Sequence, residues 1–316
     1  MCRSCTLTAA WWTTAPPVDK PDQIHQGHGR LRAMSHLLAA VDSQHPADPI
    51  ALAAALATAP AGTVLSHRTA AQLFGLWIPP FTGIEVTTRA TWRGSSYTTG
   101  VQRRSAVAHR RVLDPSDTTR EQGLPVTCVA RTWLDLAPLL DIYDLVAAGD
   151  SALRLGCDRQ ELEQRVASAN RVRGLRKART AFALLNGRAR SRPESRIRCA
   201  LRLAGLPEPR VNEGIYDSTG GWLAEPDLHY REARVAIEFN RRDHADAVQM
   251  RKDATRLLTI QREKWEVRTY TAVDALQRLD RIVADIRQLV VERAPGLIAA
   301  HALAESAHKH GRRLAG

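Results

Sequence analysis

The chain has 316 residues, room for two domains, and its 44% apolar and 25% charged content excludes wholesale disorder. Lys and Arg number 45 against 33 Asp and Glu, a net charge of +12 whose field favours a polyanion: nucleic acid first, an anionic membrane surface second. No apolar run approaches the roughly 18–20 residues of a membrane helix, and Leu7 to Trp12 is too short for a signal core, so the chain reads as cytoplasmic with no membrane partner.

Residues 1–34 are polar and aperiodic, an N-terminal tail whose Cys2 and Cys5 form a lone C-x-x-C without a second pair. Short helical stripes follow, Leu37, Leu38 and Val41, then Ile50, Leu52, Ala55 and Leu56. Ser66 is expected to cap a helix over "HRTAAQLFGL" that Gly75 closes, with His67 on the surface; the Ser66–His67 pair also admits a nucleophile reading, which the cap outweighs. "GIEVTT", "GVQRRSAVAHRRVL" and "PVTCVARTWLDLA" predict strands followed by a helix from Val129, and further helices are expected over 143–155 and 159–169.

A basic connector comes next. Between Arg171 and Arg198 stand ten Lys or Arg and a single acid, Glu194, which fits either a solvated helix face or phosphate contact. "SRPESRIRCALRLAG" places Ser191 and Glu194 in capping-box spacing, Pro193 in the first turn and Gly205 at the end, so a helix is expected there. "WEVRTY" alternates like a strand, and "TAVDALQRLDRIVADIRQLVVERA" reads as one amphipathic helix.

Between those elements the spacing predicts a hairpin of 222–230 and 235–240, joined by Arg231 to Arg234. If Tyr230 faces Val235, then Asp227 sits across from Glu238 and Leu228 across from Ile237. Period-two alternation sends Leu228, Tyr230, Val235, Ile237 and Phe239 to one face, and Asp227, His229, Glu238 and Asn240 to the other. Two opposed carboxylates repel unless a cation or proton lies between them, and the same pair suits one Mg²⁺ completed by water and phosphate oxygens. The alternative is a solvated face with both acids paired to Arg231, Arg234 or Arg242, and a one-residue slip would separate them.

The order "PD227…E238-x-N240" is similar to the PD-(D/E)XK nuclease core, and the wider stretch from Ser191 to Leu276 resembles very-short-patch-repair-like endonuclease domains. The matching residues run in order: Ser191, Glu194, Ser195, Arg196 and Arg198; Asp227; Ala236, Glu238, Phe239 and His244; Arg251 or Lys252, Asp253 and Arg256; Trp265, Val267, Arg268 and Thr271. The resemblance implies a restriction-endonuclease-like mixed sheet flanked by helices. It implies Asp227, Glu238 and Asn240 as ligands of Mg²⁺ (or Mn²⁺), Glu194 and His244 assisting catalysis, and Arg196, Arg251, Lys252 and Arg256 on the nucleic-acid backbone. Glu194 also fits a plain capping acid, and His244 a loop histidine. Where the family carries an Asp and a Gly, this chain has Asn240 and Arg241; an amide brings no negative charge, so a binding-only descendant is the alternative to an active enzyme.

Residues 60–190 resemble the C-terminal region of AbiEi-type antitoxins, on "VLSHRTAAQLFGL", "GLPVTCVARTWLDLA" and "LVAAGDSALRLG". The expected organisation is a tail (1–34), an antitoxin-like mixed α+β domain (35–185), an endonuclease-like α/β domain (186–295) and a basic C-terminal tail (296–316). Two functions are carried forward. One is a Mg²⁺-dependent hydrolase of DNA phosphodiesters in repair or phage defence. The other is a catalytically inactive, DNA-binding antitoxin-type regulator with a cognate toxin as partner. RNA is the weaker target, since no aromatic-rich RNA signature is present.

Overall fold

The computed structural model describes residues 49–57, 59–89, 106–240, 258 and 260–303. The cysteine pair, the Leu37–Val41 stripe and the positions His244, Arg251, Lys252 and Arg256 lie outside the described residues, as does the side chain of Asn240. The architecture is a mixed α/β one, built on two mixed sheets flanked by helices.

Helix α1 (Pro49–Ala57) leads to β1 (Val64–Leu65), α2 (His67–Leu73), β2 (Ile84–Arg89), β3 (Ala106–Arg111), β4 (Thr118–Glu121) and β5 (Leu124–Thr127). The five strands form one sheet in the order β3-β2-β1-β5-β4; β1 runs antiparallel to β2 and parallel to β5, while β2 and β3 are parallel. Four helices follow: α3 (Val129–Leu136), α4 (Ile142–Arg154), α5 (Arg159–Ser168) and α6 (Leu175–Ala183). Their apolar stripes close over Leu65, Leu76, Ile78 and Val126. Trp133 is fully buried among them and donates from Nε1 to the Leu145 carbonyl at 2.9 Å. Gly149 makes that contact possible, because a Cβ there would stand 2.8 Å from Trp133 Nε1 and 2.4 Å from Leu185 Cδ2.

The second sheet follows α7 (Arg192–Leu203). It contains β6 (Arg210–Val211), β9 (Leu228–Tyr230), β10 (Val235–Asn240) and β11 (Glu266–Thr271) in the order β11-β10-β9-β6, with β10 parallel to β11 and the other neighbours antiparallel. Ile197, Ala200 and Leu201 of α7 pack on one face of this sheet, together with α8 (Ala272–Gln277) and α9 (Leu279–Arg293). The other face carries a small core of Ala236, Trp265 and Ile260. A two-stranded ribbon of β7 (Ile215–Tyr216) and β8 (Trp222–Ala224) covers it through Ile215, Leu223 and Ala224.

Three expectations change. The first hairpin strand is two strands: Pro226 offers no N–H to a ladder, so 222–224 joins the ribbon and only Leu228–Tyr230 joins the main sheet. The C-terminal amphipathic helix breaks at Arg278 (φ −134°, ψ 32°), which ends α8 and opens α9. Residues 296–303, expected as the start of a tail, are helical, and Leu297 and Ile298 pack onto the second core.

Candidate functional site

The strand register is the expected one. Val235 pairs with Tyr230, Ala236 with His229 and Ile237 with Leu228. The apolar face of Leu228, Tyr230, Val235 and Ile237 lies in the core under α7 and α9, with Phe239 against its edge. Asp227 stands one residue beyond the last ladder pair, on the side of Glu238, and both are half-buried. Its carboxylate turns onto β10, where Oδ2 accepts from the Phe239 N–H at 2.8 Å. Its carbonyl accepts from Asn212 N at 2.9 Å, and Asn212 Nδ2 donates to Glu194 Oε2 at 3.0 Å. Asn212 therefore links the Glu194 carboxylate to the backbone of Asp227.

Glu194 sits in the first turn of α7, where its N–H donates to the capping Ser191 side chain. It is fully buried at the third position of α7, where Oε1 accepts from Ser191 Oγ at 2.7 Å and Oε2 from Arg190 N at 2.7 Å. With Asn212 as well, three donors hold this carboxylate at the helix start. Asp227 and Glu238 offer hard oxygen donors on one face, the chemistry of a Mg²⁺ held by one or two carboxylates and otherwise by water. Among the described residues no cluster of three or more His, Cys, Asp or Glu side chains could hold a metal ion.

The arginines of the "SRPESRIR" motif have a different task from the one expected. Arg196 is 4% exposed, donates from Nη1 to Asp144 Oδ1 at 2.5 Å and from Nε to the Ala275 carbonyl at 3.1 Å, and so does not present its guanidinium to a phosphate. Arg192 Nε also reaches Asp144 Oδ1, at 2.9 Å. Arg198 is buried against Asp150, with Nη2 to Oδ2 at 2.8 Å, and its Nη1 reaches Glu208 at 2.9 Å. Burial opposes the charge of Arg198, but Asp150 and Glu208 outweigh it and tighten its hold on the proton. Ser195 Oγ adds a bond to Asp150 at 2.7 Å. The α4–α7 seam is thus a buried ionic lattice joining the two halves of the chain.

The basic connector now divides. Arg192, Arg196 and Arg198 are spent in that seam; Arg188 and Arg190 pair with Glu213 and Glu225. Lys177 donates to the Leu140 carbonyl at 2.5 Å. Arg171, Arg173, Arg176 and Arg179 remain, all exposed and, among the described residues, engaged by no acid. Ala178 and Ala181 bury the inner side of α6, so Arg176, Arg179 and Thr180 lie on its outer side, with Arg171 and Arg173 leading into it. Gly174 fixes that entry: it has φ +82°, and a Cβ on it would lie 2.8 Å from the backbone of Ala137 and Pro138.

Ser66 does precede α2, but its hydroxyl does not cap the helix. Ser66 Oγ meets His67 Nδ1 at 2.8 Å and accepts from Thr87 Oγ1 at 2.9 Å. His67, expected on the surface, is 2% exposed, has φ +51° and stacks on His109 with ring centroids 3.6 Å apart. Burial and the neighbouring His109 hold its pKa down to about 3. Glu85 beside it is opposed by burial, but His109, 3.6 Å away, and the hydrogen bonds from Arg68 win and hold it at about 2. Ser66, His67, Glu85 and Thr87 are buried, so the group is a polar core pinning α2 to β2 and β3.

Sequence reasoning missed Asn212, Asp144 and Asp150, and the outward pair Tyr216 and Trp222 on the ribbon. The signal for the ribbon was present in "IYDSTGGWLA", where an Asp-Ser-Thr-Gly-Gly turn separates two short apolar runs.

The fold is a mixed α/β one, and comparison with known proteins adds a likeness over part of the chain. Residues 52–186 match the AbiEi antitoxin C-terminal domain, so this part of the chain is antitoxin-like. The match ends before Ser191 and leaves α7 and the acid face outside it. Two proteins of Mycobacterium tuberculosis, from different strains and each described as uncharacterized, are 31% identical over 169 residues, covering 53% of this chain and 62% of theirs. The chain thus spans less than two thirds of the length of these relatives. No solved structure matches it. Among the described residues no helix is long and apolar enough to cross a membrane.

Proposed function

We propose that this protein is a DNA-binding regulator of the antitoxin type, acting in a toxin–antitoxin or phage-defence setting with a cognate toxin as partner. The observation that carries the DNA reading is the arginine strip of Arg171, Arg173, Arg176 and Arg179. Acids or carbonyls engage the other six basic residues of the connector, whereas these four are exposed and, among the described residues, meet no acid, on a chain of net charge +12. Guanidinium groups so placed neutralise backbone phosphates and read no sequence. The antitoxin-like match over 52–186 supports the setting and includes the strip. The test is binding of a labelled duplex by the wild type and by the four-fold Arg→Ala variant; equal affinity would overturn the assignment of the strip.

A second reading rests on the register that brings Asp227 beside Glu238. In it these two carboxylates hold a Mg²⁺, which would supply an activated water for phosphodiester hydrolysis. The protein's share is to hold Asp227 through the Phe239 amide and to set Glu238 by strand alternation. Plasmid cutting that needs Mg²⁺ and disappears in Asp227→Ala and Glu238→Ala would replace the regulator with the enzyme. Intact binding without cutting leaves the regulator.

A further inference from the structure

The β7–β8 ribbon has one face sealed and one face open. Ile215, Leu223 and Ala224 are buried against Ala236 and Trp265 on the acid face of the second sheet. Tyr216 and Trp222 are cross-strand partners on the outer side, 47% and 64% exposed. The inner residues already satisfy packing, so the two rings are not needed to hold the ribbon down. A large aromatic kept in water on a rigid support is poised for contact.

The support is rigid for identifiable reasons. Asp217 Oδ1 accepts from Thr219 N at 2.8 Å, Thr219 Oγ1 at 2.7 Å and Gly221 N at 2.7 Å. Asp217 N donates to the Gly221 carbonyl at 2.8 Å, closing the turn. Gly220 has φ +89°, a conformation that favours glycine, and a Cβ at Gly221 would lie 2.5 Å from Asp217 Oδ2 and displace that carboxylate from its turn. At the other end the Tyr216 hydroxyl would lie 3.1 Å from a Cβ on Gly214, so the ring lies close over that glycine. The ribbon backbone that carries the rings is therefore ordered by its own turn.

We infer that Tyr216 and Trp222 form a stacking platform for an unpaired nucleobase, placed beside the acid face by the short link Glu225–Pro226 that runs from the ribbon into Asp227. The inference rests on the nucleic-acid reading above and adds to it a preference for single-stranded or locally unpaired DNA. Two features select a base over an apolar protein surface. The chain's net charge of +12 draws a polyanion. At the ribbon's base Arg188 and Arg210 sit on Glu213, at 3.7 and 2.6 Å, and Arg190 sits on Glu225 at 2.5 Å. Exposed pairs of this kind hold weakly, so the guanidinium groups are available to flanking phosphates when a strand lies across the rings. Stacking on Trp and Tyr needs no particular base, because every base has a π-face.

The experiment uses the full chain and four proteins: wild type, Trp222→Ala, Trp222→Phe and Tyr216→Ala/Trp222→Ala. Each binds a labelled 20-mer single strand and the matching duplex, with circular dichroism to check the fold and sedimentation to follow the oligomeric state. Trp222→Ala is expected to weaken single-strand binding roughly 5- to 150-fold, the worth of one stacked base, with Trp222→Phe close to wild type and the double variant weakest. Duplex binding is expected to change much less. Equal single-strand affinity for the wild type and a folded double variant overturns the platform and leaves the arginine strip standing. Equal losses on single strand and duplex also overturn it, because the rings would then not select unpaired bases. A wild type that binds neither form overturns the DNA reading and the platform with it. If Trp222→Ala instead shifts a wild-type dimer to monomer and leaves DNA affinity unchanged, the occupant is a second copy of the chain and the inference fails.

Discussion

Arg198→Met is the most informative single change in the fold, because it tests the seam between the antitoxin-like half and the second sheet. Arg198 is 1% exposed and contributes one of three donors to Asp150, at 2.8 Å; Ser195 Oγ and Asn186 N give the others, at 2.7 and 2.6 Å. Methionine fills similar volume, so the loss is electrostatic: a buried carboxylate left without its counter-charge. Removing one partner of such a pair costs about 3–5 kcal/mol, a large fraction of the ~5–15 kcal/mol that holds a domain folded. With a urea slope of about 1–3 kcal/mol per molar, the unfolding midpoint falls by about 1 M or more. Asp150→Leu/Arg198→Met removes both charges and is expected to recover at least half of that loss, since apolar replacements of buried pairs are often neutral. Urea titrations of the two single variants and the double variant complete the cycle. A cost below about 1 kcal/mol for Arg198→Met, or strict additivity of the singles, refutes the claim that this pair joins the halves.

Acid should destabilise the protein well above the carboxylate range. His67 and His229 are neutral when folded, with pKa values near 3 and 4 because burial disfavours their charge. Unfolded, they titrate near 6.5, so their stabilisation is complete above that pH and falls as pH drops towards the folded values. Each loses about 2 kcal/mol by pH 5, measurable as a falling urea midpoint; Glu85, held near 2, adds its own loss only below about 4.5. Among the described residues neither ring nitrogen of His229 finds a hydrogen-bond partner, and the ring packs edge-on to Trp265. His229→Leu is therefore expected to raise the neutral-pH midpoint by the equivalent of about 1 kcal/mol and to flatten the acid slope; a loss of stability would contradict that account. Gly174→Ala meets backbone at 2.8 Å with φ +82°, so it should cost about 2 kcal/mol or more in the same titration.

Local signals in the sequence carried far, and long-range pairing did not. Alternation and loop length were enough to place Leu228 opposite Ile237 and to separate the apolar face from the acids, because a hairpin register is a short-range property. The Ser191–Glu194 cap was legible for the same reason. The fate of the arginines was not: Arg196 and Arg198 meet acids 52 and 48 residues away, and nothing in "SRPESRIR" distinguishes a buried guanidinium from a solvated one. His67 was misplaced because its stacking partner His109 comes from β3, and because a positive φ on a histidine follows no local rule. The helix break at Arg278 carries no Gly or Pro to mark it. Pro226 was visible, but the ribbon it creates depends on Ile215 and Tyr216 returning to pair with Ala224 and Trp222.

The central claim is that the strip of Arg171, Arg173, Arg176 and Arg179 holds DNA by its phosphates. Its most direct test is the salt dependence of duplex binding, measured by fluorescence anisotropy for the wild type and for the variant with all four changed to Ala. Each phosphate contact contributes about 0.9 to the slope of log affinity against log salt, so the variant should lose about 3 to 4 from the wild-type slope. Wild-type affinity should in addition fall by roughly 100-fold or more between about 50 and 200 mM salt. An unchanged slope in a folded variant would contradict the account.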